Sequence, residues 1–286
     1  MSAVAGMKQR VFDTARERAV RSGRIPRQAY EHYFIESEGL HSRVHLQNFW
    51  STFWPQLEGE AVANIEICDA GGRVVGRTTR TVPKFGQLFL ELRDLVAELG
   101  LEVPEGTVAI DLEPPPAVKE HFDDVPNAAE VEINTPFWMA YYDDDENYMY
   151  VHSIEKLRGP VFGSTWAMER LLDRGETPVG ERWRSWRLLD ADQLEEIQVV
   201  VINHAERPAS TTVGIYDPED RPVAERRLEF GPRQLHRVRF ERDELVSGMP
   251  DGTRFLRVGL DPTLTVNGKP YVLMRYGGGP LSLHHG

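Results

Sequence analysis

Residues 62–116 read VANIEICDAGGRVVGRTTRTVPKFGQLFLELRDLVAELGLEVPEGTVAIDLEPPP, and residues 210–264 read STTVGIYDPEDRPVAERRLEFGPRQLHRVRFERDELVSGMPDGTRFLRVGLDPTL. Set side by side, Ile65–Asp69 answers to Val213–Asp217 and Asp94-Leu95 to Glu244-Leu245. Pro104-Glu105-Gly106-Thr107 answers to Pro250-Asp251-Gly252-Thr253. Both stretches run strand, turn, strand, short acidic loop and strand, which reads as one β-module written twice.

Short strands divided by Gly, Pro and Asp turns predict antiparallel β-sandwiches. The expected fold is mainly β: two tandem antiparallel β-sandwich domains from an internal duplication, with an N-terminal helix and a short helical linker. The boundaries read as a basic arm at 1–30, copy one at 31–157, the linker at 158–180 and copy two at 181–286. The arm helix is placed at 4–21, where Met7, Val11, Ala15 and Ala19 keep helical spacing ahead of Gly23 and Pro26. In the linker, Ser164 or Thr165 can cap a helix through Trp166–Asp173 that Gly175 ends.

From Tyr33 the pattern is that of strands. His41, Arg43, His45 and Gln47 alternate with Ser42, Val44 and Leu46, giving one polar and one apolar face. Asp69-Ala70-Gly71-Gly72 reads as a hairpin turn, and Asp217-Pro218-Glu219-Asp220 makes the same reversal with proline and acids. A further hairpin closes each copy, with its tip at 143–147 in the first and 277–280 in the second. There His152 and His284 read as equivalent.

The net charge is −12, which argues against nucleic acid as the main partner, since phosphate binding needs a broad basic face. The charge is uneven: residues 1–30 hold seven bases against two acids, and residues 119–154 hold nine acids against Lys119. That complementarity predicts a homo-oligomer assembled through the arm and the acidic hairpin. No run approaches the roughly 20 apolar residues of a membrane helix. The single cysteine, Cys68, makes no internal disulfide framework. A cytoplasmic protein is the expectation.

Chemistry-bearing motifs are sparse. Gly-x-Ser-x-Gly and His-Glu-x-x-His do not occur. Asp143, Asp145 and Asn147 alternate as calcium ligands do, but Tyr148 stands where an EF-hand loop needs glycine and Ile154 where it needs Glu. His41, His45 and His152 form the candidate metal set, with a divalent metal as the alternative to no cofactor at all. Copy two has no histidine at the places of His41 and His45.

The strongest functional hint is aromatic. Phe49, Trp50, Phe53 and Trp54 crowd one loop of copy one, with Trp138, Tyr141 and Tyr142 later. Exposed on a sandwich edge, such rings bind a sugar, a small hydrophobic ligand or a protein partner. Buried, they fill a contact between sandwiches.

Copy two resembles the small all-β domain of the sensory rhodopsin transducer family, in Val200-Val201-Ile202-Asn203, Val213–Asp217 and Arg233–Phe240. The resemblance implies a non-enzymatic sandwich that oligomerises and binds a partner or small ligand. Two copies with an added helix depart from that single-domain pattern. The function these readings favour is a non-catalytic binding or interaction protein; the alternative is a metal-dependent enzyme with a histidine site on copy one.

Overall fold

Alternation in LHSRVHLQ becomes a strand at Leu40–Gln47 whose even-numbered residues are buried. In the computed structural model the described residues are 29–123, 137–152, 157–158, 182–204, 208–264 and 269–285. The helices expected at 4–21 and in the linker lie outside them.

The first half contains β1 (Ala29–Ile35), β2 (Leu40–Gln47), α1 (Phe49–Phe53), β3 (Ala61–Asp69), β4 (Val74–Val82), β5 (Gln87–Glu91), α2 (Leu92–Glu98) and β6 (Glu105–Glu113). Then come α3 (Pro116–Asp123), β7 (Phe137–Asp143), β8 (Tyr148–His152) and β9 (Leu157–Arg158). The second half contains β10 (Trp183–Arg184), β11 (Leu189–Asp190), β12 (Leu194–Ile202), β13 (Ala209–Tyr216), β14 (Pro222–Phe230) and β15 (Leu235–Glu241). It closes with α4 (Arg242–Gly248), β16 (Phe255–Asp261), β17 (Tyr271–Tyr276) and β18 (Ser282–His285).

Antiparallel pairing orders the first half as β4-β3-β6-β1-β9 and β5-β2-β7-β8. The second half is ordered β14-β13-β16-β10 and β15-β12-β17-β18, with β11 also on β16. Strand for strand the orders correspond, with β10 and β11 in the place of β1. The fold is therefore mainly β and of the sandwich class.

Local details correspond as well. A bulge falls between Ile67 and Cys68 and another between Ile215 and Tyr216. The Asp69 carboxylate accepts from the Arg73 N–H at 3.0 Å, and Asp217 from the Arg221 N–H at 2.8 Å. Asn48 and Asn203 are both buried, and each ties the end of its strand to the next corner. The Asn48 amide donates to the Val82 and Pro83 carbonyls, that of Asn203 to the Gly231 carbonyl.

Two sequence alignments shift. Thr107 pairs with Cys68 and Arg257 with Tyr216, so Thr107 corresponds to Arg257 rather than Thr253. The Pro-x-Gly-Thr motif runs into strand β6 in one half and is a turn ahead of β16 in the other. Likewise Trp138 pairs with His152 and Tyr271 with His285, so His152 answers to His285 rather than His284. One residue of slip in a strand exchanges its faces. The strand read from Tyr33 begins at Ala29.

The halves share a core. Inward residues of the first sandwich (Val44, Ile65, Val108, Phe137) cluster with Val200, Tyr271, Leu273 and Leu283 of the second. Those four lie on the outer face of the β12 sheet, while Ile197, Val199 and Val272 on its other face fill a separate core. At about 1.5–3 kcal/mol for each large apolar side chain taken from water, these contacts supply a substantial part of the hold between the halves.

Polar groups finish the joint. Tyr271 places its hydroxyl 2.7 Å from His32 Nδ1 and accepts from the Tyr33 N–H. His204 Nδ1 lies 2.8 Å from Glu31 Oε2, and Thr107 donates to the other Glu31 oxygen at 2.7 Å. Arg237 reaches both Glu38 and Glu105.

Candidate functional site

The outer face of the β2 sheet is laid out by register. His45 lies between Phe89 and Trp138, Arg43 between Glu91 and Ala140, and His41 beside Tyr142. On β8, Tyr150 pairs with Ala140 and Tyr148 with Tyr142. Ala140 is fully buried and makes the low floor of this face. Around it stand Phe89 (60% exposed), Tyr150 (53%), Trp138 (47%) and Tyr148. Water normally excludes such rings, and a contiguous exposed apolar patch on a sheet marks a binding surface.

The rings touch one another. His45 meets Phe89 edge-on at 4.7 Å and Tyr150 edge-on at 5.5 Å. Tyr150 stacks on Tyr148 at 6.2 Å, and Tyr148 on Tyr142 at 5.1 Å. The Arg43 guanidinium stands 5.0 Å from the Tyr142 ring and pairs with Glu91. Tyr142 donates its hydroxyl to Glu91 at 2.6 Å. Burial, then the Glu91 hydrogen bond, pushes that phenol up to about 12. The charges on this face thus neutralise each other and brace the aromatic side chains, leaving an apolar surface with fixed geometry.

The histidines are not gathered into a metal site. His41 and His45 share the face but stand four residues apart on one strand, a separation of about 13 Å that no single ion spans. His41 is held by Glu36 at 3.1 Å and Asp144 at 3.0 Å. Burial alone would lower its pKa; hydrogen bonds to Asp144 and Glu36 outweigh that and raise it. His45 is lowered, first by burial and then by the Arg43 cation. His152 occupies the β8 position opposite Trp138. Among the described residues, no three His, Cys, Asp or Glu side chains are grouped to hold a metal ion. The 143–147 tip is a closed turn: Asp143 accepts from the Asp145 and Asn147 backbone and from the Asn147 amide.

The aromatic loop of the sequence is helix α1, capped by Asn48. Trp50 packs on the core and stacks with Trp54 at 5.8 Å, and Phe49 is half-buried. Only Phe53 of this group stands well exposed, with Phe85 of the neighbouring corner. Tyr141 belongs to the core: it is fully buried, and its hydroxyl donates to the Tyr33 carbonyl. Of the predicted aromatic residues, Trp138 is at the centre of the exposed face and Tyr142 supports it. Phe89, Tyr148 and Tyr150 join them, and the sequence carries the signal: YMY sets rings at every second position and QLFLE sets Phe89 between Gln87 and Glu91, on the strand's polar side.

No family model matches the chain, and no curated protein matches it. Solved structures with partial likeness include a β-galactosidase described as putative from Bacteroides fragilis (12% identity, 89% of this chain, 32% of that chain, TM-score 0.19). A β-glucuronidase from Bacteroides uniformis gives 10% identity over 89% of this chain and 25% of its own, with TM-score 0.16. A β-D-mannosidase from Dictyoglomus thermophilum gives 14% identity over 93% and 30%, with TM-score 0.17. The chain spans about a third or less of the length of these structures.

Proposed function

We propose that this chain is a non-catalytic binding protein and that the outer face of the β2 sheet is its binding surface. One observation carries the reading. Phe89, Trp138 and Tyr150 stand exposed at the register positions of Arg237, Tyr271 and Leu283, which the second half packs against the first. The same sheet face is engaged in one half and open in the other. Both halves descend, in this reading, from one duplicated sandwich whose outer face is an attachment surface.

An environment-sensitive apolar dye tests the face whatever its natural partner is. In dilute solution the native chain binds the dye saturably. The triple variant Phe89→Ser, Trp138→Ser, Tyr150→Ser keeps its circular dichroism and loses most of that binding. Equal dye binding by both proteins overturns the proposal.

A further inference from the structure

We infer that the open face of the β2 sheet takes a second copy of this chain, docked head to tail as the β12 sheet docks within the chain. The inference rests on the reading of that face as a binding surface and names its occupant.

The joint between the halves has a donor side and an acceptor side. The donor is the outer face of the β12 sheet with the corner at 231–234. The acceptor is β1, the start of β6, the hairpin turn at 69–72 and β8, where the Leu283 N–H meets Met149. Tyr271 meets His32 and Tyr33, and Arg237 meets Glu105 at 3.1 Å. The corner closes so tightly on Gly72 that a Cβ there would stand 2.6 Å from the Pro232 carbonyl oxygen. Because the strand orders correspond, each half has both a donor and an acceptor side, and the joint uses one of each. Among the described residues, the donor side of the first half and the acceptor side of the second remain.

Both remaining surfaces carry exposed apolar side chains. The donor side is the aromatic face of the β2 sheet. On the acceptor side, Trp183 pairs with Leu260 and Leu189 with Leu256, as Tyr30 pairs with Ile110 and Phe34 with Gly106 in the first half. Residues 185–188 therefore fall where the first half has His32 and Tyr33. There Trp186 is 77% exposed and Leu188 45%.

The partners across the joint have changed together on the two remaining surfaces. Arg237 and Glu105, an ion pair, correspond by register to Phe89 and Phe255, two aromatic rings. Tyr271, set against His32 and Tyr33, corresponds to Trp138, set against the Trp186 segment. Pro232 over Gly72 corresponds to Lys84, which pairs with Glu58, and Asp220, which pairs with Arg182 and Arg184; Gly72 and Asp220 both have positive φ. The Arg237–Glu105 ion pair and the Phe89 and Phe255 rings are each self-consistent, whereas mixing them would press an unpaired charge onto a ring.

Contact between two different surfaces of one chain does not stop at two copies; it continues until a ring closes or leaves an open row. Sedimentation velocity of the full chain over a concentration series tests this. The mass is expected to climb past two copies of 32.6 kDa. Trp138→Glu and Trp186→Glu should each weaken association about thirtyfold or more, the loss of one central anchor. Their equimolar mixture should regain a two-copy species and nothing longer, since each variant keeps one good surface. Thermal unfolding checks that both are folded, and Phe89→Lys with Leu188→Glu repeats the test at other positions.

A wild-type chain that stays single at every concentration overturns the inference. So does a Trp186→Glu chain that assembles normally, because the face would then pair with itself, and so does a mixture with no two-copy species. A single chain that still binds dye at Phe89, Trp138 and Tyr150 rejects the second copy and keeps the binding face. Dye binding indifferent to those residues rejects the face itself.

Discussion

Trp138 and Tyr271 hold the same register position in β7 and β17, yet Trp138 is half-exposed and Tyr271 is fully buried against His32 and Tyr33. The two residues therefore differ in what they contribute to stability. Tyr271→Ala should cost roughly 3–5 kcal/mol, as for a large core ring, and Trp138→Ala about 0.5 kcal/mol or less. Urea unfolding measures both. Because one apolar cluster crosses the joint, the wild type should unfold in a single transition and Tyr271→Ala in two.

The hairpin turn at Gly72 offers a second probe of the joint. Gly72 has φ +81° and lies against Pro232 and Arg233, whereas Gly252 has the same φ with open space around it. Gly252→Ala should cost about 1 kcal/mol of backbone strain. Gly72→Ala should cost clearly more and should raise proteolytic cleavage between the halves. Equal costs would place the joint elsewhere.

In the second half, Gly214 and Gly259 pair across β13 and β16 and make a trough in which the Tyr216 ring lies; a Cβ on either would come within 2.7 Å of it. The Arg184 guanidinium stacks 3.6 Å from that ring. Gly259→Ala should therefore expel the ring, lowering Tm, while Tyr216→Phe keeps the stack and loses only the hydrogen bond to Glu225. Comparable melting of the two variants would contradict this packing.

His41 and His45 should titrate on opposite sides of the free-histidine value in NMR spectra. His41 is raised by Asp144 and Glu36 against the effect of its burial, and His45 is lowered by burial and Arg43. A raised folded pKa stabilises fully below the unfolded value of about 6.5, and the effect is lost as pH rises through the folded pKa. His41→Gln should thus destabilise near pH 6 and matter little at about pH 9. His45 has the reverse sign: its contribution is present above the unfolded value and lost as pH falls through its lowered pKa. Arg43→Gln should move the His45 midpoint upward.

Much of the fold is written locally. Alternation placed β2 and its apolar face, and the Asp69 and Asp217 turns declared themselves because an aspartate that accepts from backbone N–H groups needs only its neighbours in sequence. What could not be read is set by contacts far apart in the chain. Tyr141 and Tyr142 are adjacent in sequence, yet strand geometry sends one into the core and the other to the outer face. The slip between His152 and His284 exchanged two faces, since a strand's period is two. Insertion of residues between β10 and β11 disguised their correspondence to β1. Phe89 and Tyr150 were legible as rings on the polar side of a strand, but their exposure depends on the second half lying elsewhere.

Hydroxyl-radical footprinting of the full chain, dilute and concentrated, reads the open face and the Trp186 segment in one measurement. In dilute solution Phe89, Trp138 and Tyr150 should be labelled heavily, while Tyr271 and Leu283 stay protected. On concentration, protection should rise at Trp138 and Trp186 together. Protection of Trp138 in dilute solution would contradict the account, and so would labelling of both tryptophans that does not change with concentration.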